Sequence, residues 1–493
     1  MAYTYESHQR VDSGDNNANS PPLLGHVESN ERLTAPEWEQ NTRHIRLRVV
    51  NPNGSTTVDA KSVGATLPYQ AGDIASILPS NSPEAVDNFI ATLPDTIQSL
   101  VDQRLDLDYQ KVGKDEASFN GAYPSWPRQC TLRGWLTYCA DIHSLPERED
   151  LRVLSQFCSP SHAMFEAQRD KLFSLSKTSE SALYVDYILR EKRCWTDVLY
   201  DFDSLCHPDS KLTMEALLTL LPPIRPRDFS IASSPSHELL QSKQRLQSSP
   251  FADGFIVELC VAVVEGTTPL GRTYHGLCSH YLWQLQPNIS NVRLWIRPGS
   301  FAKLPLASHG ETNEQHWFEN PVLCVGAGTG VAPLRALILE REAVKELFQL
   351  QTSAENSTMV AKTNDNAGIL LDECDHIFVF GCRRKDSDYY YKNEWRLLQE
   401  SGRLLVLPAF SREQAHKIYV QQVIKANSDS ILKHILENDG AIYIAGGPSM
   451  ARYSKEELIE GTTRLLGEED DKKANLLFKR MQARGRFSVE AWS

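Results

Sequence analysis

The chain has 493 residues, of which 41% are hydrophobic and 23% charged, and its 51 basic against 63 acidic side chains leave a net charge of −12. At roughly 100–200 residues per domain this length predicts two to four domains, with chain enough to bury a core without disulfide or metal staples. The composition excludes collagen-like, coiled-coil and largely disordered chains, and the acidic balance excludes a generic nucleic-acid or anionic-membrane binder.

No stretch approaches the roughly 18 uninterrupted apolar residues of a membrane span. The start, MAYTYESHQR, has no basic-then-apolar signal pattern. The ten cysteines form no CxxC pair and no metal-ligand spacing, so they read as scattered reduced thiols of a cytoplasmic protein, with no metal site.

Residues 1–35 are rich in Ser, Asn, Asp, Glu and Pro and are expected to be a flexible tail. Residues 44–50 alternate polar and apolar, as a half-buried strand does. A turn at Gly72-Asp73 precedes a second strand over 74–78. Ser82 followed by Pro83 predicts an N-cap with proline at the first helical position. From about 84 to 218 the spacing is helical, at 132–139, 151–157, 182–190 and 214–221, so this block is read as a helical insertion. Strands return at 255–264 and 292–296. Beyond 320, strands at 321–325, 377–380, 404–407 and 441–445 alternate with helical stretches, which predicts a parallel α/β sheet. The polar stretch 352–368 reads as a surface loop.

Two motifs carry chemistry. The strand ending at Val325 runs into Gly326-Ala327-Gly328-Thr329-Gly330, and a helical pattern follows from Leu334. Glycines let a backbone turn tightly and approach a pyrophosphate, and a helix N-terminus favours the negative charge. The third glycine falls at 330, where the common dinucleotide fingerprint would need it at 331. The second motif follows the strand at 404–407. Ser411, Arg412, Lys417 and Tyr419 offer a hydroxyl, a guanidinium fork, an ammonium and a phenol at a strand-to-helix edge, a set suited to a phosphomonoester. Paired with the glycine loop, the cluster points to the 2′-phosphate of NADP(H).

Arg225-Pro226-Arg227-Asp228-Phe229-Ser230 resembles the flavin-binding motif of the ferredoxin–NADP reductase superfamily, and Gly276-Leu277-Cys278-Ser279 resembles its second flavin motif. The glycine loop, Gly381-Cys382-Arg383-Arg384, the 411–421 segment and Ala445-Gly446-Gly447 resemble its nicotinamide-domain motifs, in order. The end, Arg486 to Ser493, resembles the tail of diflavin reductases. Within the superfamily the chain is most similar to the NADPH-dependent diflavin oxidoreductases of cytosolic iron–sulfur cluster assembly.

The resemblance implies an antiparallel β-barrel that binds FAD over residues 36–312, interrupted by the helical insertion at about 84–218, then a parallel α/β NADP-binding domain over 318–493. It implies FAD and NADPH as cofactors. A flavodoxin-like FMN domain is not expected in this chain, nor FMN binding. The implied partners are a flavodoxin-like FMN protein or an iron–sulfur protein of the anamorsin type.

Residue by residue, the resemblance places Arg227 on FAD phosphate, with Asp228 beside it. Phe229 would lie on the isoalloxazine, and Ser230 near its N5 and the nicotinamide. Cys260, Val261 and Ala262 would contact the flavin through their backbone, and Gly276, Leu277, Cys278 and Ser279 would hold its diphosphate. Gly328, Thr329 and Gly330 would cradle NADPH, with Ser411, Arg412, Lys417, Tyr419 and Gln421 on its 2′-phosphate. Trp492 would lie over the flavin, and Glu490 would steady the nicotinamide charge where microsomal relatives use Asp. Ala445 stands where those relatives carry Cys. Ser230, Glu490 and Trp492 are the expected catalytic residues. Two other readings stay open: a stand-alone NADPH dehydrogenase of the same fold, and a non-catalytic partner-binding scaffold.

Overall fold

The computed structural model of the chain describes residues 22–50, 67–107, 129–244, 254–299, 320–355 and 376–492, with side chains left aside at 351–355. They fall into two compact units, Asn81–Arg225 and the combination of Leu23–Ser80 with Pro226–Ser493.

The first unit is almost wholly helical. It opens with a helix at Pro83–Ala91, whose N-cap Ser82 accepts a hydrogen bond from the Ala85 N–H at 3.1 Å. Helices follow at Leu132–Tyr138, Arg148–Ser155, Ala163–Ser176, Trp195–Asp201 and Met214–Leu220. Their apolar faces meet around Phe89, Trp135, Leu151, Trp195 and Leu217. The stretch 182–190 is helical but not a single α-helix. A short turn at Ser181–Tyr184 gives way to π-helical Val185–Arg190.

The second unit begins with a six-stranded antiparallel sheet: β1 (Leu23–Arg32), β2 (Thr42–Val50), β3 (Ile74–Leu78), β4 (Arg227–Ser230), β5 (Phe255–Ala262) and β6 (Asn291–Arg297). The order is β4-β3-β6-β1-β2-β5. The two edge strands share no ladder. One isolated bridge, Ile231 with Leu259, brings the chain beyond β4 against β5.

β1 corrects the expected flexible tail. From Leu23 the chain is a central strand, paired with β6 on one side and β2 on the other. Its polar residues hid it. Glu28 accepts from Arg46 at 2.9 Å and Arg48 at 2.6 Å, both on β2. The Asn30 amide donates to the carbonyls of Leu282 and Leu285 at the end of a neighbouring helix. A bulge between Val27 and Ser29 also breaks the period-two pattern. Residues 1–21 lie outside the described residues.

After α1 (Pro235–Gln244) and α2 (Leu277–Gln284) comes a five-stranded parallel sheet. Its strands are β7 (Val322–Ala327), β8 (His376–Cys382), β9 (Leu404–Phe410), β10 (Ala441–Gly446) and β11 (Phe487–Ala491), in the order β9-β8-β7-β10-β11. The helices are α3 (Val331–Glu355), α4 (Lys392–Glu400), α5 (Val420–Glu437), α6 (Pro448–Leu465) and α7 (Lys472–Ala483). Leu323 and Val325 pack one face against α5 and α6, whereas Cys324, Phe378 and Phe380 pack the other. Burial on both faces explains the unbroken apolar runs in these strands. The terminal segment is mostly a fifth parallel strand, with Trp492 just beyond its end. Residues 352–355 continue α3 rather than form a loop, and 356–368 lie outside the described residues.

A buried ion network joins the two sheets. Arg335 of α3 donates to Glu258 of β5 at 2.8 Å and to the Ala232 carbonyl at 2.7 Å. It also grips both oxygens of Glu394 on α4, at 2.7 and 2.9 Å. Its guanidinium lies 4.6 Å from the Tyr391 ring centre. Burial pushes the Glu258 carboxyl up, but His44 and Arg335 outweigh it and hold the group well below the usual carboxylate range. Removing one partner of a buried pair costs about 3–5 kcal/mol. Glu258→Gln is expected to lose roughly that much in urea unfolding at pH 7. Because the folded value is depressed, the pair's pH-linked contribution is full above the ordinary carboxylate value and is lost as pH falls through the folded one. The gap between variant and parent should therefore narrow in acid.

Candidate functional site

β4 pairs antiparallel with β3, Ser230 opposite Ile74 and Asp228 opposite Ser76. The Ser76 hydroxyl donates to the Asp228 carboxylate, so Asp228 anchors β4 to its neighbour. Phe229 is half-buried against the sheet's own core. Two residues past Ser230, Ala232 enters a different apolar cluster, shared with Cys260, Val331, Ala445 and Trp492.

The start of α2 is tied closely to the end of β5. Gly276 is its N-cap. A Cβ there would come within 2.8 Å of the Val264 side chain, so the position requires glycine. The Ser279 hydroxyl accepts from the Val264 N–H at 3.0 Å and donates to the Gly276 carbonyl at 3.2 Å. Its side chain thus locks the helix to the end of β5. The first-turn N–H groups at 277–279 have no acceptor within the helix and are the part suited to a diphosphate. Burial pushes the Cys278 thiol up to about 12, opposed by the Arg227 charge.

On β5, Cys260, Val261 and Ala262 stand opposite His44, Arg43 and Thr42. Val261 points into the sheet core, whereas Cys260 belongs to the cluster of the parallel sheet, against which Tyr391 also packs. Beyond the bridge at Leu259, β5 is an edge strand, which leaves that stretch of backbone for a ligand to approach.

The glycine loop shows why its spacing departs from the common fingerprint. Gly328 has φ +57° and open space where a Cβ would sit. A Cβ on Gly330 would lie 2.1 Å from the Ala445 carbonyl oxygen. The third glycine is thus set by close packing of the loop on β10. Ala445 pairs with Gly326 on one side and Glu490 on the other. The Trp492 N–H donates to the Gly446 carbonyl at 3.2 Å. Glycine loop, Glu490 and Trp492 therefore meet at the carboxyl edge of the parallel sheet, the edge at which such sheets bind ligands. One Glu490 oxygen is buried without a hydrogen-bond partner, and burial pushes the carboxyl up to about 7.

The basic cluster lies along the ends of β8 and β9. Ser411 donates from its N–H and its hydroxyl to the Cys382 carbonyl, at 3.0 and 3.3 Å. The Arg412 N–H donates to the Arg383 carbonyl at 2.9 Å. Asp388, not singled out from sequence, accepts the N–H groups of Arg383 and Arg384 at 3.0 and 2.7 Å and so shapes the turn that presents them. Lys417 and Tyr419 are exposed on the connection into α5, and Gln421 is half-buried in its first turn. Arg383 and Arg412 reach a common point, the carboxylate of Glu39 on the β1–β2 connection. Its position over 300 residues away hid Glu39 from motif reading.

Comparison with known proteins agrees with this geometry. The family described as FAD binding domain matches residues 16–281, and that described as oxidoreductase NAD-binding domain matches 324–456. The chain belongs to the FAD binding domain family. Its second match adds an oxidoreductase NAD-binding domain over the parallel sheet. It is 32% identical over 484 residues to NADPH-dependent diflavin oxidoreductase 1 of Mus musculus, covering 96% of this chain and 65% of the relative. The Bos taurus protein of that name is 30% identical over 482 residues, 96% and 65% covered, and the Arabidopsis thaliana one 29% over 482 residues, 94% and 63% covered. The chain thus spans just under two thirds of these relatives. Gly330→Ala is expected to force the loop off β10 and weaken NADP+ binding by about tenfold or more, the equivalent of ~1.4 kcal/mol. Titration calorimetry reads this, with flavin content unchanged.

Proposed function

We propose that the chain takes hydride from NADPH onto FAD and passes electrons to an FMN-carrying flavodoxin-like module. Through it they would reach an iron–sulfur protein of the anamorsin type in cytoplasmic iron–sulfur cluster assembly. The carrying observation is the shared cluster in which the glycine-loop helix, β10, Trp492 and the Cys260 edge of the antiparallel sheet meet. Bound FAD supplies the step between a two-electron donor and one-electron acceptors. The antiparallel sheet, with its bridge at Leu259, is read as the barrel of a ferredoxin–NADP reductase fold. Its domain is assigned from Leu23 rather than residue 36. No helix among the described residues is long and apolar enough to cross a membrane.

In this reading Arg227 and the α2 N-terminus bind the FAD diphosphate, and Phe229 lies against its ring. Ser230 donates a hydrogen bond at the reacting edge. Trp492 covers the ring and moves aside for nicotinamide. Glu490, when ionised, stabilises the positive charge that the nicotinamide gains on losing hydride. Ala445 cannot donate a hydrogen bond, so Ser230 and Glu490 carry that polar role alone.

Three measurements test this. The purified chain should hold FAD and reduce ferricyanide rapidly with NADPH but cytochrome c feebly. Strong cytochrome c reduction without added FMN protein would favour the stand-alone dehydrogenase, and no bound flavin would favour the scaffold. Arg412→Ala removes a charge-assisted bond of about 1.5–3 kcal/mol, so the KM for NADPH should rise about tenfold or more with that for NADH little changed. Equal effects would sink the 2′-phosphate assignment. Because burial raises the Glu490 carboxyl to about 7, its ionised fraction grows through neutrality. The rate of flavin reduction by NADPH should climb between about pH 6 and 8, and Glu490→Gln should flatten that climb.

A further inference from the structure

We infer that Glu39 sets coenzyme preference by competing with the 2′-phosphate for its two arginines, an inference that rests on the NADPH reading above. Arg383 Nη1 lies 2.5 Å and Arg412 Nη1 3.5 Å from the same oxygen, Glu39 Oε1. The two arginines come from the ends of adjacent strands, where Asp388 accepts the Arg383 N–H and the Arg383 carbonyl accepts the Arg412 N–H, so their backbones are held in place. A single anionic oxygen between two arginines is the arrangement a phosphate oxygen would adopt.

The carboxylate arrives there on a pinned connection. The Ala35 N–H donates to the Ser387 carbonyl at 2.9 Å, tying the loop to the turn after β8. Arg32 donates to the Trp38 carbonyl at 2.6 Å, and the Gln40 amide to the Val263 carbonyl at 2.8 Å. The Arg383 guanidinium sits 5.9 Å from the Trp38 ring centre. These contacts bracket Glu39 on both sides, so its place does not depend on its own side chain.

Two consequences follow from charge. A 2′-phosphate must displace or share space with Glu39, and like charges resist that. A ribose with a free 2′-hydroxyl meets instead an acceptor, the role an acidic residue plays in NAD-selective sites. Glu39 therefore holds down affinity for the phosphorylated coenzyme while leaving or aiding the other. Its side chain is 64% exposed, and exposed pairs are weak, so the effect is a few-fold one.

The test is titration calorimetry of the full FAD-loaded chain with NADP+ and with NAD+, at two salt concentrations. Glu39→Gln is expected to tighten NADP+ by about two- to fivefold, leave NAD+ equal or weaker, and steepen the salt dependence for NADP+. Arg412→Ala serves as the companion variant and should weaken NADP+ selectively. If Arg412→Ala shifts the NADP+/NAD+ ratio and Glu39→Gln does not, the competition is disproved and the 2′-phosphate site stands. If Glu39→Gln weakens both coenzymes alike, Glu39 merely supports the loop, which also overturns the inference. If Arg412→Ala leaves the ratio unchanged, the 2′-phosphate reading fails and this inference fails with it.

Discussion

The geometry of the site depends on one buried guanidinium. Arg335 lies in α3, the helix that the glycine loop opens, and its four hydrogen bonds reach Ala232, Glu258 and both oxygens of Glu394. A charge taken out of water is tolerable only when its donors are satisfied in this way. The requirement is directional. Moving the parallel sheet relative to β5 would strand a charge on one side or the other. Neighbouring polar contacts repeat the constraint: Thr42 with Tyr390 at 2.9 Å, His44 with Tyr391 at 3.0 Å, and Glu340 of α3 accepting from Ser234 and Ser236. An apolar contact alone would hold the same surfaces together but leave their orientation looser.

That orientation matters because the edge proposed to react is assembled from four distant stretches. Cys260 comes from the edge of the antiparallel sheet, Gly330 from the loop after β7, Ala445 from β10, and Glu490 and Trp492 from the chain's last strand. Parallel pairing of β10 with β11 carries the last two to the carboxyl edge. Packing of the loop on β10 is so close that Gly330 has no room for a side chain. The proposed hydride transfer would need the donor and acceptor rings held in register, and these backbone contacts would fix the walls around them.

Charge follows a second logic, at the ends of β8 and β9. The backbones of Arg383 and Arg412 are fixed by hydrogen bonds to Asp388 and to the Arg383 carbonyl, so both side chains start from set positions at the strand ends. Glu39, brought by a connection in the antiparallel sheet, completes that group. The overall charge of −12 thus coexists with a compact basic site that is itself partly neutralised from the other sheet.

The sequence by itself determined the fold class and the motifs whose chemistry is local. Gly326 to Gly330 between strand and helix, the Ser82–Pro83 helix start, and the arginines beside strand ends are all set by neighbours within a few residues. Their geometry follows from backbone sterics and helix termini. What only the tertiary structure decided are the pairings across long separations. β1 is a central strand because Glu28 and Asn30 find partners on β2 and at the end of α2. Asp228 and Ser279 serve as anchors because Ser76 and Val264 stand opposite them. The setting of Glu490, half-buried with one oxygen left without a partner, and of Glu39 between two arginines, follows from where strands and sheets meet. A polar side chain looks the same in a sequence whether it will face water or a buried partner, so those roles exist only once the chain has folded.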